Sequence, residues 1–212
     1  MIFEQIASGG DRNYGYLVGC EETKQAAVID PAPDPNPCDK RVEELGLTVV
    51  YVINTHTHYD HSSGNKHFQK KYKAQVVTHQ TAHYGNIRVN DGDTLKVGNI
   101  PLEFFYTPGH TMDSICVRAE KELMTGDTLF VGKVGGTDTR SSAEVEFESL
   151  KMLTELEPDV RVWPGHNYGV RPSSTIGEEL KTNPFILRLN NFEDFMWLKD
   201  NWADYKIEHG IA

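Results

Sequence analysis

Short apolar-rich runs of β type open the chain, at Met1–Ala7, Tyr14–Cys20 and Ala26–Ile29. Pro31, Pro33, Pro35 and Pro37 then make Asp30–Pro37 a stiff loop, and a short helix is expected over Cys38–Leu45. Val49–Ile53 is continuously apolar and rich in β-branched residues, the pattern of a fully buried strand. Ser62 or Ser63 offers a cap for a helix running through Tyr72, and Gln75–Thr78 returns as a strand. The strand pattern repeats at Thr94–Val97, Ile100–Tyr106, Ser114–Val117 and Glu122–Met124. At Ala143–Leu156 the period changes. Val145, Leu150, Leu153 and Leu156 mark an amphipathic helix, with Pro158 beyond its end. Arg161–Trp163 is a last short strand, and Ile176–Thr182 and Asn191–Lys206 read as helical.

Two strand-rich halves with interspersed helices predict an α+β chain with two sheets and helices on their outer faces. A four-layer α-β-β-α sandwich satisfies that order. The expected division is a sandwich domain over 1–175 and a short helical extension over 176–212, packed on it.

Composition narrows the function classes. A chain of 212 residues fits one domain with or without an extension, and buries enough surface to fold without disulfides. Its 21 basic and 31 acidic residues give a net charge of −10, which argues against a nucleic-acid partner. No apolar run is long enough to span a membrane, and the N-terminus lacks the basic start and apolar stretch of an export signal. A cytoplasmic protein is expected. Cys20, Cys38 and Cys116 form no C-x-x-C pair and read as reduced packing residues.

The chemistry lies in the histidines. Thr55-His56-Thr57-His58-Tyr59-Asp60-His61 follows a buried strand and precedes an expected helix start. Alternate side chains of an extended loop point one way, so His56, His58 and Asp60 are expected to converge, with His61 brought in by the turn. Such a dense set of nitrogen and oxygen ligands suits zinc, iron or manganese. Three further candidates stand just past strands, each behind a glycine: His110 after Pro108-Gly109, Asp127 after Gly126, and His166 after Pro164-Gly165. His67, His79, His83 and His209 have no such cluster beside them and read as surface or hydrogen-bonding residues. No serine or cysteine motif competes as nucleophile. Gly132-Lys133 is not a phosphate loop, because Val134 stands where Ser or Thr is required.

In these motifs the sequence resembles the metallo-β-lactamase superfamily. Thr125-Gly126-Asp127-Thr128-Leu129-Phe130 and Gly165-His166-Asn167-Tyr168 are most similar to glyoxalase II (hydroxyacylglutathione hydrolases) and the related persulfide dioxygenases. The resemblance implies an αβ/βα sandwich with the site at the edge between its sheets. It further implies that His56, His58 and His110 hold one metal, that Asp60, His61 and His166 hold a second, and that Asp127 bridges them. Asp60 is expected to serve in catalysis as well. Two divalent ions ~3.5–4 Å apart share a water, lower its pKa toward neutrality and clamp a tetrahedral intermediate. The expected reaction is cleavage of a hydroxyacylglutathione-type thioester by metal-bound hydroxide, since a thiolate of pKa ~8.5 leaves with little protonation. β-Lactam cleavage is disfavoured, because true β-lactamases of the superfamily are typically exported and usually lack the bridging aspartate.

Two other enzyme readings share these residues. A persulfide dioxygenase would hold one iron on His56, His110 and Asp127, with a thiol as substrate. A metal-dependent lactonase would use the same ligands, and a non-catalytic metal-binding module is the reading from another class. Tyr168 matches a glutathione-contacting tyrosine of glyoxalase II. Nine residues after Asp127, however, Gly136 stands where a glutathione-associated Lys or Arg is usual, leaving Lys133, Arg140 or Arg171 to supply the charge. Lys133 and Tyr168 are the expected substrate contacts. The 46 residues after His166 are fewer than in the helical domain of long glyoxalase II enzymes.

Overall fold

A computed structural model describes residues 1–211. The elements run β1 (Ile2–Ala7), β2 (Tyr14–Gly19), β3 (Gln25–Ile29), α1 (Asn36–Glu44), β4 (Thr48–Ile53), α2 (Tyr59–Ser62), α3 (Asn65–Tyr72), β5 (Gln75–His79) and β6 (Ile87–Val89). They continue with β7 (Thr94–Val97), β8 (Ile100–Tyr106), β9 (Ile115–Ala119), β10 (Glu122–Gly126), β11 (Leu129–Phe130), β12 (Lys133–Val134), α4 (Arg140–Thr154), β13 (Arg161–Pro164) and β14 (Ser174–Thr175). Helices α5 (Ile176–Thr182), α6 (Phe192–Asp200) and α7 (Trp202–His209) close the chain.

Two six-stranded sheets form, in the orders β1-β2-β3-β4-β5-β6 and β14-β13-β10-β9-β8-β7. The two-residue period of each strand sorts its side chains between layers. In β2, Tyr16 and Val18 enter the core between the sheets while Leu17 faces α1 and α3. In β9 and β10, Ile115, Val117 and Met124 face that same inner core. Cys116 and Leu123 point instead to the outer layer, among Phe147, Leu150 and Leu153 of α4 and Phe195 and Leu198 of α6. The result is the expected four-layer αβ/βα sandwich. Cys20, Cys38 and Cys116 are free and buried.

Several boundaries differ from the sequence expectation. The helix after the histidine motif starts at Tyr59, ahead of both candidate capping serines, and breaks into two. Gly64 sits at the break because the chain crosses Pro31 there: a Cβ would lie 1.9 Å from its carbonyl oxygen. The proline loop ends sooner than expected, with Pro37 inside the first turn of α1, where a missing N–H costs nothing. Helix α4 begins at Arg140, capped by the Thr139 hydroxyl, which accepts from the Ser142 N–H. Asn191–Lys206 is two helices divided at Asn201. Strands β6, β11, β12 and β14 are too short to leave a periodic signal. Among the described residues no helix is long and apolar enough to cross a membrane.

Candidate metal centre

Five strands deliver their C-terminal ends to one edge of the sandwich. Strands β3 and β4 are parallel, as are β10 and β13, and β8 runs with β10 because both are antiparallel to β9. Asp30 follows β3, His56 follows β4, His110 follows β8, Asp127 follows β10 and His166 follows β13. The turns rely on glycine in two ways. Gly109 and Gly126 adopt positive φ, +143° and +49°. Gly165 does not; it is needed for space, since a Cβ there would lie 2.4 Å from Asp127 Oδ1 and 2.8 Å from the His61 ring.

The candidate ligand atoms gather in three overlapping groups: His56, His58 and His110; His56, His61 and Asp127; and Asp60, His61 and His166. Asp60 thus parts from His56 and His58, against the extended-loop expectation, because α2 begins at Tyr59 and rotates it away. The nitrogens of His56 and His58 are 3.1 Å apart, those of His58 and His110 3.1 Å, and those of His61 and His166 3.2 Å. Asp127 lies between the two sides, with Oδ2 3.7 Å from His110 Nε2 and 3.4 Å from His166 Nε2, and Oδ1 3.4 Å from His61 Nε2.

Protein partners secure the far sides of four rings. His61 Nδ1 is 2.9 Å from Asp30 Oδ2, and His110 Nδ1 is 2.8 Å from the Gly136 carbonyl. His166 Nδ1 is 2.9 Å from the Asp11 carbonyl, and His56 Nδ1 is 3.2 Å from Thr55 Oγ1. An N–H donated outward leaves a lone pair facing inward, the arrangement of metal-ligating imidazoles. The inner face has what a cation would complete: converging ring nitrogens, and a buried Asp127 Oδ1 with no hydrogen-bond partner. The donor set fits zinc, iron or manganese.

Electrostatics favour the ligating forms of His56, His58 and Asp127, while the surrounding carboxylates favour the protonated ring at His61, a charge that a bound cation would replace. Burial, aided by neighbouring imidazoles, pushes the pKa of His56 well below and of His58 below the usual histidine value. Burial opposes charge on Asp127, yet His61 and His166 hold its carboxyl well below the usual range. Burial likewise opposes charge on His61, but Asp30, Asp127 and Asp60 lift it to about 9.

Sequence reasoning missed the supporting residues. Asp30 is 2% exposed and accepts from the Thr55 N–H at 2.9 Å as well as facing His61. Its only signal was the one that flagged Asp127, an acid just past a strand. The Asn13 side-chain amide reaches Asp60 Oδ2 at 3.0 Å. Tyr168 stacks on His166, with centroids 4.7 Å apart and planes 7° off parallel, and donates its hydroxyl to Asp11 Oδ2 at 2.8 Å. Beside it opens a cavity of about 760 Å³ lined by Arg12, Lys133, Tyr168, Arg171, Trp202 and Lys206, among others. The structure brings Lys133 and Arg171 to this cavity, while Arg140 is drawn away to Glu193 and Phe192. Elsewhere, His67 meets Asp39, and His79 is buried beside Thr81 and stacked on Tyr106.

The fold and this edge cluster define an αβ/βα enzyme equipped to bind metal ions. The chain belongs to the metallo-beta-lactamase superfamily, whose sequence profile matches residues 9–86 and 82–166. It is 37% identical over 179 residues to a hydroxyacylglutathione hydrolase of Polaromonas, covering 79% of this chain and 67% of that one. It is 30% identical over 190 residues to the human mitochondrial persulfide dioxygenase ETHE1, covering 86% and 73%. The crystal structure of ETHE1 from Myxococcus xanthus superposes with a TM-score of 0.88 at 35% identity, over 95% of this chain and 91% of that one. The chain therefore spans about two thirds of the length of the hydroxyacylglutathione hydrolase.

Proposed function

We propose that the chain is a cytoplasmic, dinuclear metallohydrolase that cleaves a thioester of the hydroxyacylglutathione type. The observation that carries this reading is the cationic cavity directly behind His166. Arg12 and Arg171 at its wall are paired with Asp11 and Glu178, but Lys133 and Lys206 have no carboxylate partner among the described residues. Two unpaired ammonium groups suit the carboxylates of a peptide-like carrier thiol. Lys133 also lies over the Tyr168 ring, 5.0 Å from its centroid, and Tyr168 stacks on His166, so a carrier's charged end in this cavity would sit one aromatic ring away from the ligand cluster.

In this reading His56, His58 and His110 hold one ion, Asp60, His61 and His166 the other, and Asp127 faces both. Ions held there would supply Lewis-acid chemistry, lowering the pKa of a water and polarising the thioester carbonyl. The chain's own groups orient the reactants: Asn13 fixes Asp60, and Tyr168 and Lys133 seat the carrier. Asp60 is the more exposed carboxylate of the cluster, its side chain 43% exposed against 11% for Asp127, and in this reading it also handles a proton. The departing thiolate needs no acid, since thiols ionise near pKa ~8.5.

The similarity to a persulfide dioxygenase supports a second reading, with one iron on His56, His110 and Asp127. Zinc separates the two, because it has no redox chemistry. The zinc-reconstituted protein is expected to hydrolyse a hydroxyacyl thioester of glutathione without oxygen. Turnover found only with iron, oxygen and a persulfide would replace the hydrolase by the dioxygenase.

A further inference from the structure

Helix α6 reaches the metal centre through one buried lysine. Lys199 is only 10% exposed; its ammonium donates to Glu146 of α4 and, at 2.8 Å, to the Gly135 carbonyl. The next carbonyl along, that of Gly136, accepts the Nδ1–H of His110 at 2.8 Å. Glu146 is fully buried and packs on the other side of the same histidine: a Cβ on Gly109 would lie 2.3 Å from Glu146 Cβ. One turn on, Ser149 donates to the Pro108 carbonyl at 2.7 Å. The segment before His110 is therefore clamped by α4, and the segment that orients its ring is clamped by α6, with the Lys199–Glu146 pair joining the two.

We propose that Lys199 is a positioning residue for His110, acting from the C-terminal helix by fixing the Gly135-Gly136 turn whose carbonyl orients the imidazole. The turn's two residues bring no side chains to anchor it, so besides the Lys199 bond it is held by the Gly135 N–H, which donates to the Thr128 carbonyl at 3.3 Å. Gly135 is pressed so closely on Asp127 that a Cβ would lie 2.1 Å from its carbonyl oxygen, whereas Gly136 has open space around it. A buried ion pair is a poor source of net stability, since desolvation offsets most of the attraction. Its value here is directional: the ammonium has three donors, and one is spent on a carbonyl rather than on the carboxylate. Losing that bond frees Gly136 O to drift and lets the His110 ring turn, which weakens one metal site and leaves the other intact. Partners that orient a ligating histidine typically contribute 10–100-fold in metal affinity.

The inference rests on His110 being a metal ligand, and zinc alone is the probe. Zinc affinity and stoichiometry are measured by competition with a chromophoric chelator, alongside the urea unfolding midpoint, for four proteins. Lys199→Met is expected to weaken one of two zinc sites about tenfold. Lys199→Met/Glu146→Leu, which removes the orphaned carboxylate, is expected to recover the unfolding midpoint but not the zinc affinity. Glu146→Gln keeps an acceptor for Lys199 and its bond to Gly135, so its zinc binding is expected to match the unaltered chain. Equal weakening by Glu146→Gln and Lys199→Met would assign the effect to the ion pair and overturn the inference. So would two unweakened sites in the double variant, with the metal-centre reading left standing. An unaltered chain that binds no zinc would sink both.

Discussion

Asp30 and His61, 31 positions apart in the chain, are joined in the interior: Oδ2 of one lies 2.9 Å from Nδ1 of the other, at 2% and 1% side-chain exposure. This contact fixes which face of His61 looks toward Asp60, Asp127 and His166. Asp30 Oδ2 also accepts from the Thr55 hydroxyl, and Thr55 in turn faces His56. One carboxylate outside the ligand motif therefore supports histidines from both halves of the cluster.

Asp30→Ala is accordingly expected to weaken metal binding 10–100-fold, the usual range for partners of ligating histidines. Asp30→Asn, which retains an acceptor, should weaken it less. Chelator competition on both variants checks the order, and equal affinities across the series would remove Asp30 from the site.

Asp127 faces His61, His110 and His166, so its loss should harm both sides of the centre. Asp127→Ala is expected to lower metal content and turnover together. Lys151→Ala, which removes an exposed pairing with Glu148 and a contact over the Phe147 ring on α4, should change neither. Elemental analysis beside a thioester assay decides the matter; two retained metals and unchanged turnover in Asp127→Ala would remove Asp127 from between the two sites.

Gly136 has nothing within 4 Å of a Cβ position, so a side chain there is sterically free. With Lys133 and Lys206 the two lysines left unpaired in the cavity among the described residues, glutathione thioesters are expected to show a high KM. Gly136→Lys should lower it, each charge-assisted hydrogen bond contributing ~1.5–3 kcal/mol. Steady-state kinetics with a glutathione and a smaller thioester test this. A KM already low in the unaltered chain, and raised by Lys206→Ala, would mean that the cavity lysines suffice.

Asp39 governs part of the acid stability. Burial opposes its charge, but Lys71, Tyr72 and His67 hold its carboxyl below the ordinary value. Lys71 Nζ lies 2.7 Å from Oδ2 and the Tyr72 hydroxyl 2.6 Å from Oδ1. A depressed folded-state pKa contributes stability above the unfolded value of ~3.9 and loses it as pH falls through the folded one. Asp39→Asn should therefore cost about 1.5–3 kcal/mol at pH 7. The gap to the unaltered chain should narrow below about pH 4, where both side chains become neutral. Urea unfolding at pH 7 and pH 3 tests the sign, and a gap that widens in acid would contradict it.

The sequence by itself pointed to the sandwich and named the seven residues that the structure gathers at one edge, through local periods and short motifs that resemble one superfamily. Strand and helix periods depend on neighbours in the chain, and His56, His58, Asp60 and His61 declare their chemistry within six positions. Even distant His110, Asp127 and His166 were legible, each marked by a glycine turn at a strand end. Tertiary structure decided the rest. It sent Asp60 to the side of His166 by starting a helix at Tyr59, and it made Gly165 a matter of space rather than backbone angle. It brought the Asp11 carbonyl to His166 across 155 positions, and drew Lys206 and Arg12 into one cavity with Lys133. A lone Asp, Asn or Lys carries no local pattern; its partner is chosen by which strand ends and helices the packed layers bring within hydrogen-bonding reach.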